Sequence, residues 1–316
     1  MSMNRRQRVE AVLQGKKPDR VPVCFWHHFG ELTPEDTVKA HVKWLEESGE
    51  DLLKMMSDEF FFYPLNGAKT PADFLALRPL GKNSPYVRGQ IERAGQICNA
   101  VAGSVVTLYN TFSPYANLKH AMGQEQAIAL MKESPEAFGH VLNVILTDTL
   151  DVIEGLLTES GTDGLMLCMQ GAEETLFSEG DYLRFLRPGE QAIVEAANRL
   201  SDRNLLHLCG WDGIPDILER WKDYPSAMVN WDMDVERVKL RDGNAYFGGR
   251  VLLGGLNNRP GSVMTDGTKE EVQAAVKSVL KEAEGSRFIL GADCSLPSDV
   301  DPVRVRWTIE AIESAS

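Results

Sequence analysis

Leu205-Leu206-His207-Leu208-Cys209-Gly210 reads as a buried strand that ends in metal-capable side chains. In an extended backbone, residues two apart project from the same face, so His207 and Cys209 point the same way. A third soft donor, Cys294, stands far downstream at the end of another apolar run, Phe288-Ile289-Leu290-Gly291-Ala292-Asp293. One imidazole and two thiolates make a zinc site with an open fourth position, the layout of a catalytic metal. The competing reading is a hydrogen-bonded strand histidine beside two inert buried cysteines. Whether the ends of these two strands meet decides between them, and that is a question of fold.

Runs of the same kind recur along the 316 residues. Arg20 to Trp26, Asp51 to Met56, Val105 to Asn110, Gly164 to Gln170, Ala227 to Trp231 and Val251 to Leu256 join the two already quoted, making eight. Each is mostly apolar throughout rather than alternating, as expected of strands covered on both faces. Helical patterns lie between them. Thr33-Pro34-Glu35-Asp36 supplies an N-cap, a proline at the first position and an acidic first turn for a helix through Glu47. Ser134-Pro135-Glu136 opens another towards Glu159, and Asp181 to Leu200 is a third. Thr268-Lys269-Glu270-Glu271 is a capping box for a helix to Ala283, and Asp301-Pro302 caps the last. Shorter helices are predicted over 213–222 and 234–241, and a leading one from Arg5 to Gln14 stops at Gly15. The section from Ser57 to Gly103 reads as irregular, with a short helix after Thr70-Pro71-Ala72-Asp73.

Helices between such strands demand parallel connections, and eight βα units in a chain of this length give a (β/α)8 TIM barrel. The predicted class is therefore α/β: a single barrel domain over residues 1–316, with an N-terminal helix and an irregular segment after the second strand. A doubly wound open sheet is the competitor, but no Gly-rich phosphate turn follows the first strand.

In such a barrel the chemistry gathers at the C-terminal strand ends. Those ends carry His27 and His28, then Ser57, Asp58 and Glu59, then Asn110 and Gln170. His207 with Cys209, Asn230 with Asp232, Asn257 with Asn258, and Asp293 with Cys294 complete the ring. His207, Cys209 and Cys294 are the candidate metal ligands. His27, His28, Asn110, Gln170, Asn230 and Asn257 are the candidate substrate contacts, although only one of the two adjacent histidines can face the mouth. Asp58 and Glu173 are the candidate catalytic carboxylates. Either Glu173 or its neighbour Glu174 could close the metal shell or act as a base; the alternative for all three is a solvated loop position. Cys24 and Cys168 lie within strands and read as small buried hydrophobes. Cys98 has no partner signal.

A net charge of −13 and a pI near 5.0 exclude the basic footprint that nucleic acid or an anionic membrane surface requires. Five cysteines without a short-range framework suit a reducing, cytoplasmic location. The basic start, Met1-Ser2-Met3-Asn4-Arg5-Arg6, runs into an amphipathic helix pattern rather than a signal-peptide core. No segment approaches the ~20 apolar residues of a membrane span. A homo-oligomer is left open.

Several blocks recur in a familiar order: Gly15-Lys16-Lys17-Pro18-Asp19-Arg20-Val21-Pro22-Val23, Met56-Ser57-Asp58, Gly103 to Leu108, His207-Leu208-Cys209-Gly210, and Gly254-Gly255-Leu256-Asn257-Asn258. In these the chain resembles the uroporphyrinogen decarboxylase superfamily over nearly its full length, which implies a (β/α)8 barrel. The decarboxylases of that superfamily carry Arg-Gln-Ala-Gly-Arg after the first strand, where arginines bind a polycarboxylate. Here the matching stretch is His27-His28-Phe29-Gly30-Glu31, which loses both guanidinium partners and adds a repelling charge. Thr111 stands where they have a tyrosine, and Ala292-Asp293-Cys294 where they have Gly-His-Gly; Asp58 does match their central carboxylate.

The zinc-dependent, corrinoid-linked methyltransferase branch is more similar, with His207, Cys209 and Cys294 in its zinc-ligand places. That likeness implies Zn2+ and a methyl group moved between a small substrate, such as a methyl ether or thiol, and the cobalt of a corrinoid (cobalamin). No corrinoid domain is apparent in this sequence, so a separate corrinoid-binding protein would be the partner. Two alternatives accompany this expectation. One is a metal-independent decarboxylase-type lyase centred on Asp58; the other is a non-catalytic barrel that binds a corrinoid or other ligand.

Overall fold

Apolar strands with helices between them close here into one ring. The computed structural model describes residues 2–315 apart from 174 and 211. The strands are β1 (Val23–Cys24), β2 (Leu52–Met55), β3 (Val106–Phe112), β4 (Gly164–Met169), β5 (Leu205–Leu208), β6 (Met228–Trp231), β7 (Val251–Leu256) and β8 (Phe288–Ala292). They form an eight-stranded sheet in the order β1-β8-β7-β6-β5-β4-β3-β2. Every pairing in it is parallel. The fold is the expected (β/α)8 barrel.

The seam between β1 and β2 is closed by one backbone bond and by side chains. Asp51 N–H donates to the Val23 carbonyl at 2.8 Å. In return, Val23 and Phe25 N–H donate to the carboxylates of Asp51 and Glu50, each at 2.9 Å. Arg8 and Arg20 hold Asp51 at 2.6 and 2.7 Å. The first strand is therefore much shorter than the predicted Arg20–Trp26. Pro22 has no N–H to give a ladder, and the donors that follow it go to carboxylates instead.

The barrel interior is packed by Cys24, Trp26, Leu52, Met56, Leu108, Met166 and their counterparts on the other strands. Val9 and Val12 of α1 (Arg5–Leu13) join this cluster and plug the N-terminal end of the barrel. Arg6 of that helix bonds the Val105 carbonyl and Asp163, both of which precede strands. With the bottom stoppered, the open end lies where the strands finish.

The outer layer buries the other strand faces beneath the helices. In chain order these are α2 (Pro34–Ser48), α3 (Pro71–Ala76), α4 (Pro85–Val101), α5 (Pro114–Met122), α6 (Gln124–Glu133) and α7 (Pro135–Thr158). After them come α8 (Glu179–Asp181), α9 (Arg187–Leu200), α10 (Leu240–Tyr246), α11 (Lys269–Glu282) and α12 (Val303–Ala315).

The section expected to be irregular contains α4. Ser84 caps it and Pro85 opens it, and Val87, Ile91, Ala94, Ile97 and Val101 face inward. Gly89 lies off that stripe, and a Cβ there would lie 2.7 Å from the Phe60 ring. The helix predicted over 213–222 is reduced to a 3-10 turn, Leu218–Arg220, behind Gly213 at φ +78°. That predicted over 234–241 is displaced to α10. Asp232 Oδ1 instead accepts the N–H groups of Asp234 and Val235, both at 3.1 Å, and holds a local turn.

One buried acid on α9 gives the fold a pH dependence. Glu190 is 1% exposed, and its carboxylate accepts Tyr182 OH at 2.7 Å, Tyr224 OH at 3.0 Å and Trp221 Nε1–H at 3.1 Å. Burial outweighs these bonds and pushes its pKa up to about 7. The folded state then holds a proton that the unfolded chain has released, so stability is present at low pH and falls as pH rises towards and through 7. The contribution is roughly 3 kcal/mol. Relative to Glu190→Gln, the wild type is expected to lose about that much unfolding free energy between pH 4.5 and 8. Urea unfolding of both proteins across that range checks it, and parallel curves would refute it.

Candidate metal centre

His207 lies on the inward face of β5, and Cys209 follows two residues later, as the strand period requires. Cys294 lies two residues beyond the end of β8 and approaches from the opposite side. The ligand atoms of these three residues all lie within 4.8 Å of one another. Cys294 Sγ is 3.6 Å from His207 Nε2. Bonds of ~2.0 and ~2.3 Å at a tetrahedral Zn2+ would set an N···S edge of about 3.5 Å, so the spacing suits that ion. All three side chains are buried.

The surroundings fix the donor atoms. Asn230, fully buried on β6, accepts the Nδ1–H of His207 through Oδ1. That bond leaves the Nε2 lone pair turned to the thiols. The Asn230 amide also donates to the Leu253 and Ala292 carbonyls at 3.0 and 3.1 Å, which anchors it to β7 and β8. Gly254 makes room for it, since a Cβ there would meet Met233 Cε at 2.8 Å and Asn230 Nδ2 at 3.2 Å. Gln170 Nε2 donates to Cys209 Sγ at 3.5 Å. The Cys209 thiol donates to Cys294, and that bond, with burial, pushes Cys209 well up. Accepting the same bond draws Cys294 down against its burial. Two adjacent thiols beside an imidazole lone pair are a soft donor set that a dication can satisfy in place of their protons.

A cavity of about 740 Å3 opens above this cluster. Of the predicted substrate contacts, His28, Asn110 and Gln170 line it. Asn110 is braced by Ser57 Oγ at 3.1 Å and by the Cys168 thiol at 3.0 Å. His28 donates through Nδ1–H to Asp58 at 2.7 Å and keeps its side chain 45% exposed.

Five predicted residues are placed elsewhere. His27 turns away from the mouth, as alternation requires of one member of the pair. It packs edge-on against Phe29 and Trp44, at 4.5 Å each, and donates to the His28 carbonyl at 3.0 Å. Asn230 is spent on His207 and two carbonyls, which makes it a positioning residue with no group left for a substrate. Asn257 lies beyond β7, where its amide bonds Asp234 and its oxygen accepts Arg259 N–H at 2.7 Å; Asn258 lines the cavity in its stead. Asp58 accepts Phe29 and Gly30 N–H, at 2.7 and 3.1 Å, as well as His28. Burial opposes its ionisation, but the His28 and backbone bonds prevail and hold its carboxyl below the usual range, which suits an orienting anion better than a general acid. Glu173 is carried outward by Gly171, at φ +102°, into a buried contact with Lys119 at 3.6 Å, where burial raises its pKa. Glu174 lies outside the described residues.

The cavity also holds residues that the strand ends did not announce: Lys54, Phe61, Phe112, His120 and Arg259. His120 stacks on Phe61, with ring centres 4.1 Å apart, and meets Phe112 edge-on at 4.6 Å. Burial, helped by Lys119, pushes its pKa down to about 3, so it is a neutral wall. It is carried by α5, for which Ser113-Pro114 is the opening signal in the sequence. For Lys54 the signal was a lone charge inside an apolar strand.

A sequence profile of uroporphyrinogen decarboxylase (URO-D) matches residues 63–315. The methylcobamide:CoM methyltransferase MtbA of Methanosarcina mazei is 26% identical over 160 residues, a stretch spanning 50% of this chain and 44% of that protein. Among solved structures, a methyltransferase from Methanosarcina mazei superposes with a TM-score of 0.75 over 99% of both chains at 17% identity. A B12-independent methionine synthase from Shewanella sp. W3-18-1 does so at 0.61, over 94% of this chain and 98% of that one, at 11% identity. At such identities these two likenesses concern the barrel itself.

Proposed function

The chain belongs to the uroporphyrinogen decarboxylase family, and on that footing we propose that it is a zinc-dependent methyltransferase. It would move a methyl group between a small substrate and the cobalt of a corrinoid held by a separate protein. The observation that carries this reading is the convergence of His207, Cys209 and Cys294 beneath a large open cavity. The partial identity to a methylcobamide:CoM methyltransferase supports it.

His207, Cys209 and Cys294 would hold the ion, which when bound would supply a soft Lewis acid for the heteroatom that gains or loses the methyl group. Asn230 keeps His207 in one tautomer, and Gln170 directs an N–H at Cys209. Asp58 presents His28 to the cavity, while Phe61, Phe112 and neutral His120 wall it with apolar surface that limits water. Phe62, 60% exposed and edge-on to Phe61, offers the rim an apolar contact for the corrinoid-binding protein. We take the whole chain as one barrel domain. Its five unpaired cysteines suit a reducing cytoplasm, and among the described residues no helix is long and apolar enough to cross a membrane.

The test pairs zinc-loaded protein with methylcobalamin and thiols, and with Co(I) cobalamin and methyl ethers or amines, while the cobalamin absorbance is followed. Methyl exchange that disappears in His207→Ala is the expected result. Failure of every pair, together with coproporphyrinogen formed from uroporphyrinogen by metal-free protein, would replace this reading with the lyase.

A further inference from the structure

Lys54 is a charge in a place built for apolar side chains. The run Asp51-Leu52-Leu53-Lys54-Met55-Met56 turns it inward with Leu52 and Met56, and it is 5% exposed at the wall of the cavity. Its Nζ lies 4.8 Å from the centre of the Trp26 ring, whose edge in turn meets His207 with ring centres 6.1 Å apart. The ammonium is therefore close to the metal cluster. Among the described residues no carboxylate forms an ion pair with it. The cavity's other basic side chains differ: His28 has Asp58 at 2.7 Å, and Arg259 has Asp232 at 2.5 Å.

A buried ammonium without a counter-ion is costly, and one cation–π contact offsets only part of that cost. Leucine or methionine would fill the position at less expense, so packing does not account for the lysine. The metal does not supply the missing charge either, because two thiolates already cancel a dication. What remains is an occupant of the cavity that brings its own negative charge. The apolar wall limits its shape, since Phe61, His120 and Phe112 pack on one another, stacked and edge-on, and line the cavity as one block of ring surface.

Resting on the methyltransferase reading, we infer that the small substrate is an aromatic anion, with its carboxylate or similar oxyanion on Lys54 Nζ and its ring against the wall that Phe61, Phe112 and His120 form together. The Lys54 charge also favours the Cys294 thiolate, so a purely structural role in holding that thiolate is the competitor.

Calorimetry on the zinc-loaded protein separates the two, using acid and amide pairs of one shape: benzoate with benzamide, and 3- and 4-methoxybenzoate with their amides. At least one acid is expected to bind about 30-fold more tightly than its amide. Lys54→Met should bring the pair to within ~3-fold with zinc content unchanged, and Lys54→Arg should keep the preference. If no acid outbinds its amide, or if Lys54→Met retains the preference, the inference fails. It also fails if Lys54→Met loses zinc and Lys54→Arg recovers zinc without the preference. Binding is read without cobalamin, so a failure of methyl exchange leaves this test standing. Conversely, an enzyme that exchanges methyl groups with anisole as readily as with 4-methoxybenzoate keeps the methyltransferase reading and loses this one.

Discussion

Cys294→Ser, purified beside the wild type, is expected to carry far less than one zinc ion per chain and to lose methyl exchange with it. Cys294 alone brings a donor from beyond β8; without its thiolate, the ion would be left to two ligands from one short segment. A serine hydroxyl at the same position is neutral and hard, a poor match for a site otherwise made of sulfur and imidazole nitrogen. The loss in affinity should exceed the ~10–100-fold that follows from removing an outer-shell partner. Serine is nearly the size of cysteine, so the metal-free variant should unfold close to the metal-free wild type. Added zinc should then raise the unfolding temperature of the wild type only, since a ligand stabilises the state it binds in proportion to occupancy. Co2+ substitution offers a second readout through its thiolate charge-transfer band. Full zinc content in Cys294→Ser would remove this residue from the centre and leave His207 and Cys209, at the end of β5, without a reason to be joined.

Much of this arrangement was written locally in the chain. Eight apolar runs separated by helical patterns are enough to close a barrel, and the two-residue period puts His207 and Cys209 on one face. Closure then brings Cys294 to them, which no spacing rule alone could do. The same period was enough to say that one of His27 and His28 faces the mouth but not which one. That depends on how the short β1 is seated by Asp51 and Glu50, residues from the next unit. Asn230 and Asn257 look alike as amides near strand ends. One stays in register with inward-facing Met228, while the other falls past the end of β7, where the chain has already turned. A charge in an apolar run reads as an exception to the strand pattern; inside a barrel, Lys54 marks the wall of a site. Helix α4 is hard to read because Gly89, beneath the Phe60 ring, and Gly95 lie inside it, and α5 because it is only 9 residues long.

Asn230→Leu is expected to weaken zinc binding by ~10–100-fold although residue 230 touches neither ion nor substrate. The wild-type amide does two things at once. Its oxygen holds the Nδ1–H of His207, and its nitrogen ties the Leu253 and Ala292 carbonyls together. Leucine has a similar volume, so the change removes hydrogen bonds without opening a large void. The His207 ring is then free to turn or to change tautomer, and the carbonyls lose a buried donor. Each unmet polar group costs about 1–3 kcal/mol, so the metal-free protein should also unfold at lower urea. Gly254→Ala should act in the same direction from a different residue, because its Cβ would press on the Asn230 amide and its φ of +137° resists any side chain. Chelator competition reads the first effect and urea unfolding of the metal-free chain the second. Instability without loss of zinc affinity would mean that Asn230 is a strut between strands and that His207 is oriented by something else. Loss of both in Asn230→Leu, with a smaller loss of both in Gly254→Ala, is the pattern expected if the centre is tuned from the strand behind it.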